Sequence, residues 1–220
     1  MSDVPKMLPW SHSKLGLYED CPARAKFRYI MKFPTTKHAA ASRGTNTHQG
    51  IEDYLHGKIE FLPEESPAAK FLPMLAEIKK RKPLIEHKQA VDVEWSPAEF
   101  HECWGRCVVD AIVVEKSVVD IQEWKTGKIY PEHKEQRETY AAFAMSEWPD
   151  KKEYRVTTYY FDQNHMVELT FKKPEIMEIR QEIEQRVDFM SFDDIYAPRP
   201  SWKCRYCDYS RTKNGPCKVA

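Results

Sequence analysis

Two Val- and Ile-rich segments with almost no gap between them limit the fold of this chain more than any other feature. They read CVVDAIVVE from Cys107 and SVVDIQEWKTGK from Ser117. Runs of β-branched residues of this length are typical of strands, and residues near Glu115–Ser117 leave room only for a turn. Two strands joined by a short turn pair antiparallel. We therefore predict a β-hairpin at the centre of the fold.

The hairpin carries acidic side chains where a buried hairpin would not need them. Side chains two residues apart share a face of a strand, so Glu123 and Lys125 emerge together while Trp124 faces the other side. Asp110 can lie opposite Glu123 on the neighbouring strand, whereas Asp120 has the wrong parity. Two close carboxylates repel each other unless a cation lies between them, and hard oxygen ligands suit Mg²⁺ or Mn²⁺. From these residues alone, an exposed ion pair on an edge strand remains the alternative.

The rest of the chain supplies helices around further strands. The order of elements is helices, three strands, a helix, two strands and a helix, which predicts an α/β domain with a mixed sheet. The predicted helices cover 11–31 (interrupted near Cys21), 45–55, 67–82, 132–148 and 175–190, and the other predicted strands are AVDVEW (90–95), KEYRVTTYYF (152–161) and HMVELTF (165–171).

The motifs of this chain, taken in order, resemble those of the PD-(D/E)XK nuclease superfamily. The resemblance is to the RecB-like branch, which includes iron–sulfur exonucleases of CRISPR adaptation and related phage nucleases. It implies a restriction-endonuclease-like core, with a mixed central sheet flanked by helices. The matching residues are Ser11, Ser13, Tyr18 and Cys21-Pro22, then Gly44 and His48, Gly105 and Asp110, Glu123-x-Lys125-Thr126-Gly127, Gln136 and Tyr140, and the C-terminal cysteines.

The resemblance also implies the roles of individual residues. The catalytic residues would be Asp110, Glu123 and Lys125. His48, Asp110, Glu123 and the carbonyl of Trp124 would bind Mg²⁺ or Mn²⁺. Supporting positions, in contact with the phosphates of the cleaved strand or with the lysine, would be Gln136 and Tyr140, with Glu52 as a neighbour of His48.

The predicted function is a divalent-metal-dependent DNA exonuclease that hydrolyses phosphodiester bonds on single-stranded or frayed ends. Aromatic residues lie among basic ones at both ends of the chain, where they could stack on bases while Lys and Arg hold phosphates. Two alternatives remain, a structure-specific endonuclease and a non-catalytic DNA-binding subunit of a processing complex. The aromatic residues are Tyr18, Phe27, Tyr29, Trp202, Tyr206 and Tyr209.

Four cysteines form a second constellation. Cys204 and Cys207 have the spacing of ligands to one metal centre, and Gly215-Pro216 can turn Cys217 back towards them. By resemblance, Cys21 is the fourth ligand. Four thiolates suit a [4Fe–4S] cluster or a tetrahedral zinc. The resemblance favours the cluster, but nine residues separate Cys207 from Cys217, more than the family commonly has, and zinc stays an alternative.

These features predict one nuclease domain over residues 1–220. Within it, residues 198–220 together with Cys21 form a metal-cluster subdomain that clips the cysteine-rich tail to the N-terminal helices. Residues 1–48 hold eight Lys or Arg against three Asp or Glu, and residues 198–220 hold six against one, although the chain as a whole is neutral. Basic ends around an acidic centre suit a polyanion held over a metal site, which here would be DNA.

The sequence also bears on compartment and partners. The N-terminus lacks the apolar run of a signal peptide, and no stretch is long enough to cross a bilayer. Six cysteines in one chain are then more consistent with free or metal-bound thiols in the cytoplasm than with disulfides. Protein partners in CRISPR adaptation, recombination or repair, and an oligomer, are compatible with this prediction.

Overall fold

The computed structural model describes residues 7–36 and 39–219, with residues 39–41 described by their backbone alone. The chain divides into two compact units. One comprises Met1–Lys37 with Gln181–Ala220, and the other comprises His38–Arg180. The sheet and the acidic hairpin belong to the second unit, whereas the four predicted metal-binding cysteines belong to the first. The single domain predicted from the sequence stays a prediction.

Six α-helices and five strands, together with a π-helix (Lys26–Ile30) and short 3₁₀ helices, make up the regular structure of the described residues. The helices are α1 (His12–Asp20), α2 (Pro22–Ala25), α3 (Ala39–Leu55), α4 (Leu72–Lys80), α5 (His133–Glu147) and α6 (Lys173–Phe192), and the strands are β1 (Leu84–Val91), β2 (Gly105–Val114), β3 (Val118–Lys125), β4 (Glu153–Tyr160) and β5 (His165–Phe171).

The five strands form one mixed sheet in the order β1-β2-β3-β4-β5. Neighbouring strands are antiparallel except β3 and β4, which are parallel and are joined through α5. Parallel strands need such a crossover connection, because a tight turn reverses the chain and so joins antiparallel strands only. The predicted α/β fold, with a mixed central sheet flanked by helices, is confirmed.

A hydrophobic cluster fixes α3 and α4 on the sheet. Ile51 of α3 and Leu75 of α4 are fully buried, and they belong to the same cluster as Ala111, Trp124 and Phe161 from the sheet unit. The Trp124 ring stacks at 6.1 Å from the Phe161 ring, measured between centroids. Burying side chains of this size stabilises the fold by about 1.5–3 kcal/mol each. Trp124 therefore faces these helices, as the parity of the strand predicts.

The strand predicted at residues 90–95 is wrong beyond its first two residues. The strand lies earlier, at Leu84–Val91, and the chain turns at Asp92. The Asp92 carboxylate accepts hydrogen bonds from the backbone N–H groups of Glu94 and Ser96, at 3.0 and 2.8 Å. An Asp side chain that bonds its own backbone in this way competes with strand pairing. The apolar residues of this segment therefore lie in a turn.

In the first unit, the C-terminal segment contacts the N-terminal helices through polar side chains. Arg186 of α6 binds Glu19 of α1 with two hydrogen bonds of 2.6 and 2.7 Å. The Tyr18 hydroxyl donates to Asp193 at 2.8 Å, and Lys203 binds Asp20 at 2.7 Å. Across the parts of the chain that the structure describes, no helix is both long and apolar enough to span a membrane.

Candidate active site

The candidate site forms where β2 and β3 separate. Their pairing runs from Val114↔Val119 to Ala111↔Gln122 and stops there, one step before Asp110 and Glu123. The next backbone N–H of β3 that could face β2 belongs to Trp124, and it donates to the Asp110 carboxylate at 2.7 Å instead. The Asp110 carboxylate thus takes the place of a β2 backbone carbonyl as the acceptor for Trp124, and it lies buried between the two strands.

Glu123 and Lys125 contact each other directly. The Lys125 ammonium donates to Glu123 Oε1 at 2.6 Å, as expected of residues two apart on one face. From α5, the Gln136 amide donates to the same Glu123 oxygen at 3.1 Å and to the Tyr140 hydroxyl at 2.7 Å. Gln136 and Tyr140 therefore reach the predicted site, and Gln136 contacts the glutamate rather than the lysine.

His48 reaches the site from α3. Its Nδ1 lies 3.0 Å from Asp110 Oδ1, so Asp110 has a contact through each carboxylate oxygen. The His48 side chain is about one third exposed, at 32%, while that of Asp110 is 11% exposed. His48 therefore closes one side of the buried acid and also faces solvent.

Residues of the Lys-Thr-Gly turn hold α3 in place. Gly44 lies so close to this turn that an added Cβ would be 3.4 Å from the Thr126 hydroxyl. Gly127 has a φ of +88°, which a glycine adopts without strain. Its N–H donates to Asp162 at 2.6 Å, and the same carboxylate binds Arg43 of α3 through two hydrogen bonds. This connection fixes the helix turn that carries His48.

Burial and mutual repulsion set the charge of the two carboxylates. Burial, and then the Glu123 charge, raise the pKa of Asp110 to about 7, although His48 and the Trp124 N–H oppose the rise. Burial also favours a neutral Glu123, but the Lys125 ammonium outweighs it, and the pKa of Glu123 stays below its usual value. The charge of Glu123 is therefore well compensated by the Lys125 ammonium, whereas a charge on Asp110 is not.

The neighbouring carboxylates raise the pKa of both basic groups of the site. Burial lowers the pKa of Lys125, but the Glu123 carboxylate raises it more, and the net shift is upward. His48 behaves in the same way: burial lowers its pKa, but the hydrogen bond to Asp110 and the charges of Asp110 and Glu123 together raise the pKa more. Burial and the charges of Glu123 and Asp110 raise the pKa of Tyr140 well above its usual value. Lys125 is thus an ammonium and Tyr140 a neutral phenol.

Two observations show that this site fits a divalent cation. Glu123 Oε2 is buried and accepts no hydrogen bond from the described residues, and the Glu123 charge acts on the neighbouring buried carboxyl of Asp110. A buried oxygen without a donor costs about 1–3 kcal/mol, and a cation would remove that cost. In addition, ligand atoms of His48, Glu86 and Asp110 all lie within 4.8 Å of one another. Carboxylate and imidazole ligands are typical of such sites.

Glu86 is the residue that sequence reasoning missed. It lies on β1 beside a cleft of about 420 Å³ that His48 and Asp110 also line. Burial, followed by the charge of Glu52, raises the pKa of Glu86. Glu52 lines the same cleft one turn of α3 beyond His48, but it is outside the group that could share one cation. Sequence reasoning predicted a supporting role for Glu52 and no role for Glu86.

The four predicted cysteine ligands line one cavity of the first unit. All four are free thiols, and backbone N–H groups of Arg199 and Ser201 donate to the sulfur atoms of Cys21 and Cys204, both at 3.3 Å. Cys217 returns to this cavity because its N–H donates to the Tyr209 carbonyl at 3.0 Å. The lining of the cavity includes Cys21, Cys204, Cys207 and Cys217.

Gly215 makes the return of the tail possible. A Cβ on Gly215 would lie 2.3 Å from the carbonyl atoms of Tyr209, which no side chain tolerates. The Gly215 N–H also donates to the Ser210 carbonyl at 2.8 Å. The nine residues between Cys207 and Cys217 thus fold into a compact loop, and Cys217 lines the same cavity as Cys207.

The aromatic residues predicted to stack on bases differ in exposure. Tyr18 and Tyr209 are buried, at 8% and 3% exposure, whereas Trp202 and Tyr206 are 66% and 60% exposed. The Arg205 guanidinium lies 5.6 Å from the Trp202 ring and 4.8 Å from the Tyr206 ring. Trp202 and Tyr206 are therefore accessible to a ligand, and Tyr18 and Tyr209 pack inside the unit.

Comparison with known proteins gives a family and a fold. The sequence matches the model of the PD-(D/E)XK nuclease superfamily over residues 9–212. Solved structures that are similar to this chain include the following two. One, the crystal structure of SSO0001, is 17% identical, with a TM-score of 0.50, and the match covers 100% of this chain and 91% of that one.

Another similar structure is described as a "putative exonuclease" from Eubacterium rectale. It is 11% identical, with a TM-score of 0.56, and the match covers 96% of this chain and 88% of that one. At these identities the likeness establishes a shared fold. A search of curated proteins found no match.

Proposed function

We propose that this chain, which belongs to the PD-(D/E)XK nuclease superfamily, is a divalent-metal-dependent DNA exonuclease of the RecB-like branch. Membership of the superfamily makes the chain a nuclease with DNA as its substrate. The proposal adds end dependence and a preference for single-stranded or frayed ends. The exonuclease description of the Eubacterium rectale structure supports end dependence.

One observation carries the proposal: two buried carboxylates lie level on neighbouring strands, with an ammonium and an imidazole beside them. Asp110 and Glu123 come from neighbouring strands, Lys125 binds Glu123 at 2.6 Å, and His48 lies 3.0 Å from Asp110. An ordinary surface ion pair would not bury two acids together, because the cost of burial exceeds the gain of a screened pair. The arrangement is consistent with a cation site beside a proton-transfer or charge-stabilising group.

His48, Asp110, Glu123 and the Trp124 carbonyl are the proposed ligands of Mg²⁺ or Mn²⁺. A bound divalent cation neutralises phosphate charge and makes water a better nucleophile. The family resemblance and the ligand types support this assignment. Asp110 must lose its proton to bind a cation, since its pKa in the cation-free protein is about 7.

Lys125 stabilises the negative charge that develops on the phosphate, or orients the attacking water, as an ammonium. The raised pKa of Lys125 favours these roles over that of a base in the cation-free protein. Gln136 holds Glu123 in position, and the neutral Tyr140 phenol holds Gln136. Glu52 is a supporting residue at the rim of the cleft, where its charge adds to that of the ligands.

The cysteine cavity is the proposed site of a [4Fe–4S] cluster, with zinc as the alternative. Tetrahedral zinc, with Zn–S bonds of about 2.3 Å, needs sulfur atoms less than about 4 Å apart. The family resemblance favours the cluster, which would join the tail to the N-terminal helices and would require a reducing compartment such as the cytoplasm.

DNA would contact the chain through aromatic and basic residues near this cavity. Trp202 and Tyr206 are exposed with Arg205 between them, and base stacking on such side chains contributes about 1–3 kcal/mol per base. Proteins of CRISPR adaptation, recombination or repair are compatible partners, as is a second copy of the chain.

A comparison of linear and circular substrates tests the proposal. We expect the purified protein with Mn²⁺ to degrade end-labelled linear single-stranded DNA and to leave covalently closed circles intact. Efficient cutting of closed circles would favour the alternative of a structure-specific endonuclease. Binding without any cutting would favour the alternative of a non-catalytic DNA-binding subunit.

A further inference from the structure

Residues of α5 and β4 form a chain of hydrogen bonds beside Lys125. Tyr160 of β4 pairs with Lys125 of β3, so the two side chains share a face of the sheet on strands about 4.8 Å apart. The buried Tyr160 hydroxyl accepts a hydrogen bond from Arg137 of α5 at 3.1 Å and lies 3.0 Å from Nδ1 of His133, the first residue of the same helix. The His133 and Tyr160 rings also stack, with 5.5 Å between their centroids. These contacts place His133 close to Lys125, one turn of α5 before Gln136.

The hydrogen bonds of His133 fix which of its ring nitrogens carries the proton. The backbone N–H of Tyr130 can only donate, and it donates to Nδ1 at 3.4 Å. Burial, and then the Lys125 charge, lower the pKa of His133, although nearby glutamates oppose the shift, so the ring is neutral at pH 8. A neutral ring whose Nδ1 accepts carries its proton on Nε2. Tyr160 therefore donates to Nδ1, and the Nε2–H group of His133 is a hydrogen-bond donor.

Arg137 is a buried cation without an ionic partner among the described residues. It is 7% exposed, its guanidinium donates to the neutral hydroxyl groups of Thr158 and Tyr160, and its Nε has no partner there. Burial of a charge is unfavourable unless an opposite charge offsets it. The guanidinium also polarises the Tyr160 O–H group, and this strengthens the hydrogen bond to His133 and the donor at Nε2. The unpaired charge therefore favours an anion at the exposed end of this chain of hydrogen bonds.

The Nε2–H group of His133 is available to such an anion. It forms no hydrogen bond with the described residues, and solvent reaches it. The charges of Lys125 and Arg137 both act on the ring, and together they outweigh the carboxylates of Glu132 and Glu123. A neutral base edge gains nothing from a positive potential, whereas a backbone phosphate is attracted by it. The surroundings of His133 therefore suit a phosphate of a nucleic-acid strand.

We propose that the Nε2–H group of His133 binds a backbone phosphate of the DNA strand, one that neighbours the phosphate cleaved at the cation site. An N–H donor to a phosphate oxygen positions the strand without reading its sequence. Arg137 and Tyr160 orient the imidazole and do not touch the DNA. The inference rests on the proposed function and adds to it a residue that holds the substrate.

Binding of single-stranded DNA by a chain that does not cleave it tests the inference. Asp110→Asn removes a proposed cation ligand and provides this background, in which fluorescence anisotropy with labelled oligo-thymidine measures the affinity. Adding His133→Ala should weaken binding about tenfold, as expected for the loss of one hydrogen bond to a charged group. Adding His133→Gln should restore most of the affinity, because the glutamine N–H reaches nearly the position of Nε2–H. Melting curves verify that each variant is folded.

His165→Ala is the matched control. It removes an exposed histidine whose ring lies 6.4 Å from the same Tyr160 ring, measured between centroids, but which is outside the chain of hydrogen bonds. We expect this variant to keep the affinity of the Asp110→Asn background.

Oligo-thymidines with one uncharged methylphosphonate each identify the group that is bound. Moving the methylphosphonate along the strand should weaken binding at one position, and the His133→Ala chain should lack this sensitivity. The same profile in both chains, an unchanged affinity in His133→Ala, or equal losses in His133→Ala and His133→Gln would overturn the inference. Cleavage of linear DNA by the wild type would in that case leave the proposed function standing, whereas the absence of both binding and cleavage would overturn the two together.

Discussion

Replacing Asp110 with Asn should stabilise the cation-free protein while abolishing cation binding. The pKa of Asp110 is raised to about 7 in the folded chain by burial and by the Glu123 charge, against about 3.9 in an unfolded chain. Stability from this group is fully present below about pH 4 and is lost as pH rises through about 7. At pH 8 without a cation, ionised Asp110 therefore works against the fold.

The magnitude follows from the pKa difference and from the contacts of Asp110. A difference of about three pH units corresponds to about 4 kcal/mol, since each unit is worth about 1.4 kcal/mol. Asparagine has one carboxamide oxygen for two neighbours, His48 Nδ1 and the Trp124 N–H. One hydrogen bond is then lost, at about 1–2 kcal/mol. The net gain is about 2 kcal/mol, or about 5 °C in Tm for a chain of this length.

Melting curves at pH 8 in EDTA and in Mn²⁺ provide the assay. The wild type should melt below Asp110→Asn in EDTA and should gain Tm on addition of Mn²⁺, whereas the variant should not respond. At pH 5, where Asp110 is protonated, the advantage of the variant should disappear. A variant that melts lower than the wild type in EDTA at pH 8 would refute the reasoning about Asp110.

Three further predictions concern the parts that support the site and the cysteine cavity. Gln136→Leu should lower the cleavage rate about 10–100-fold by releasing Glu123; an unchanged rate would show that the hydrogen bond positions nothing. Cys204→Ser should remove the bound metal, measured by elemental analysis, and the brown colour with its absorbance near about 400 nm. The control Cys103→Ser, outside the cavity, should keep both the metal and the colour. Colourless protein with stoichiometric zinc would move the assignment to zinc. Gly215→Ala should also lower metal content, because its Cβ would collide with Tyr209; full metal content would contradict this account of the loop.

The central part of the site could be predicted because parity and proximity are local properties. Glu123 and Lys125 share a face of one strand, and a short turn brings Asp110 of the preceding strand beside them. Strand parity also excludes Asp120 from this group, because residues 120 and 123 face opposite sides of the strand. In the structure, Asp120 binds Arg81 at 2.6 Å instead. No local pattern indicates Arg81 as that partner, because the two residues are far apart in sequence.

Glu86 could not be predicted, since its position depends on register between distant strands. Residues 92–104 connect β1 to β2, and a connection of that length does not fix how two strands pair. The turn at Asp92 added to the difficulty. The apolar residues around it, in AVDVEW (90–95), resemble a strand, so the strand was predicted there and not at Leu84–Val91.

His48 and Cys21 required the family resemblance. A single histidine on a helix or a single cysteine carries no information about its partners. The structure adds a physical reason for His48, because Arg43, one turn earlier, is fixed to Asp162 and the Gly127 turn. For Cys21 the reason is the contact of Asp20 with Lys203, which belongs to the cysteine-rich tail.

Cleavage of end-labelled linear single-stranded DNA by Lys125→Ala tests the central claim most directly. With Mn²⁺ present, the wild type should degrade the DNA, and Lys125→Ala should be slower by about 10²–10⁴-fold, because it lacks the group that stabilises charge or orients water. DNA binding, measured by fluorescence anisotropy, should remain, and Lys128→Ala, an exposed lysine just beyond the turn, should cleave normally. Near-wild-type cleavage by Lys125→Ala would contradict the claim and return Glu123 and Lys125 to an ordinary ion pair.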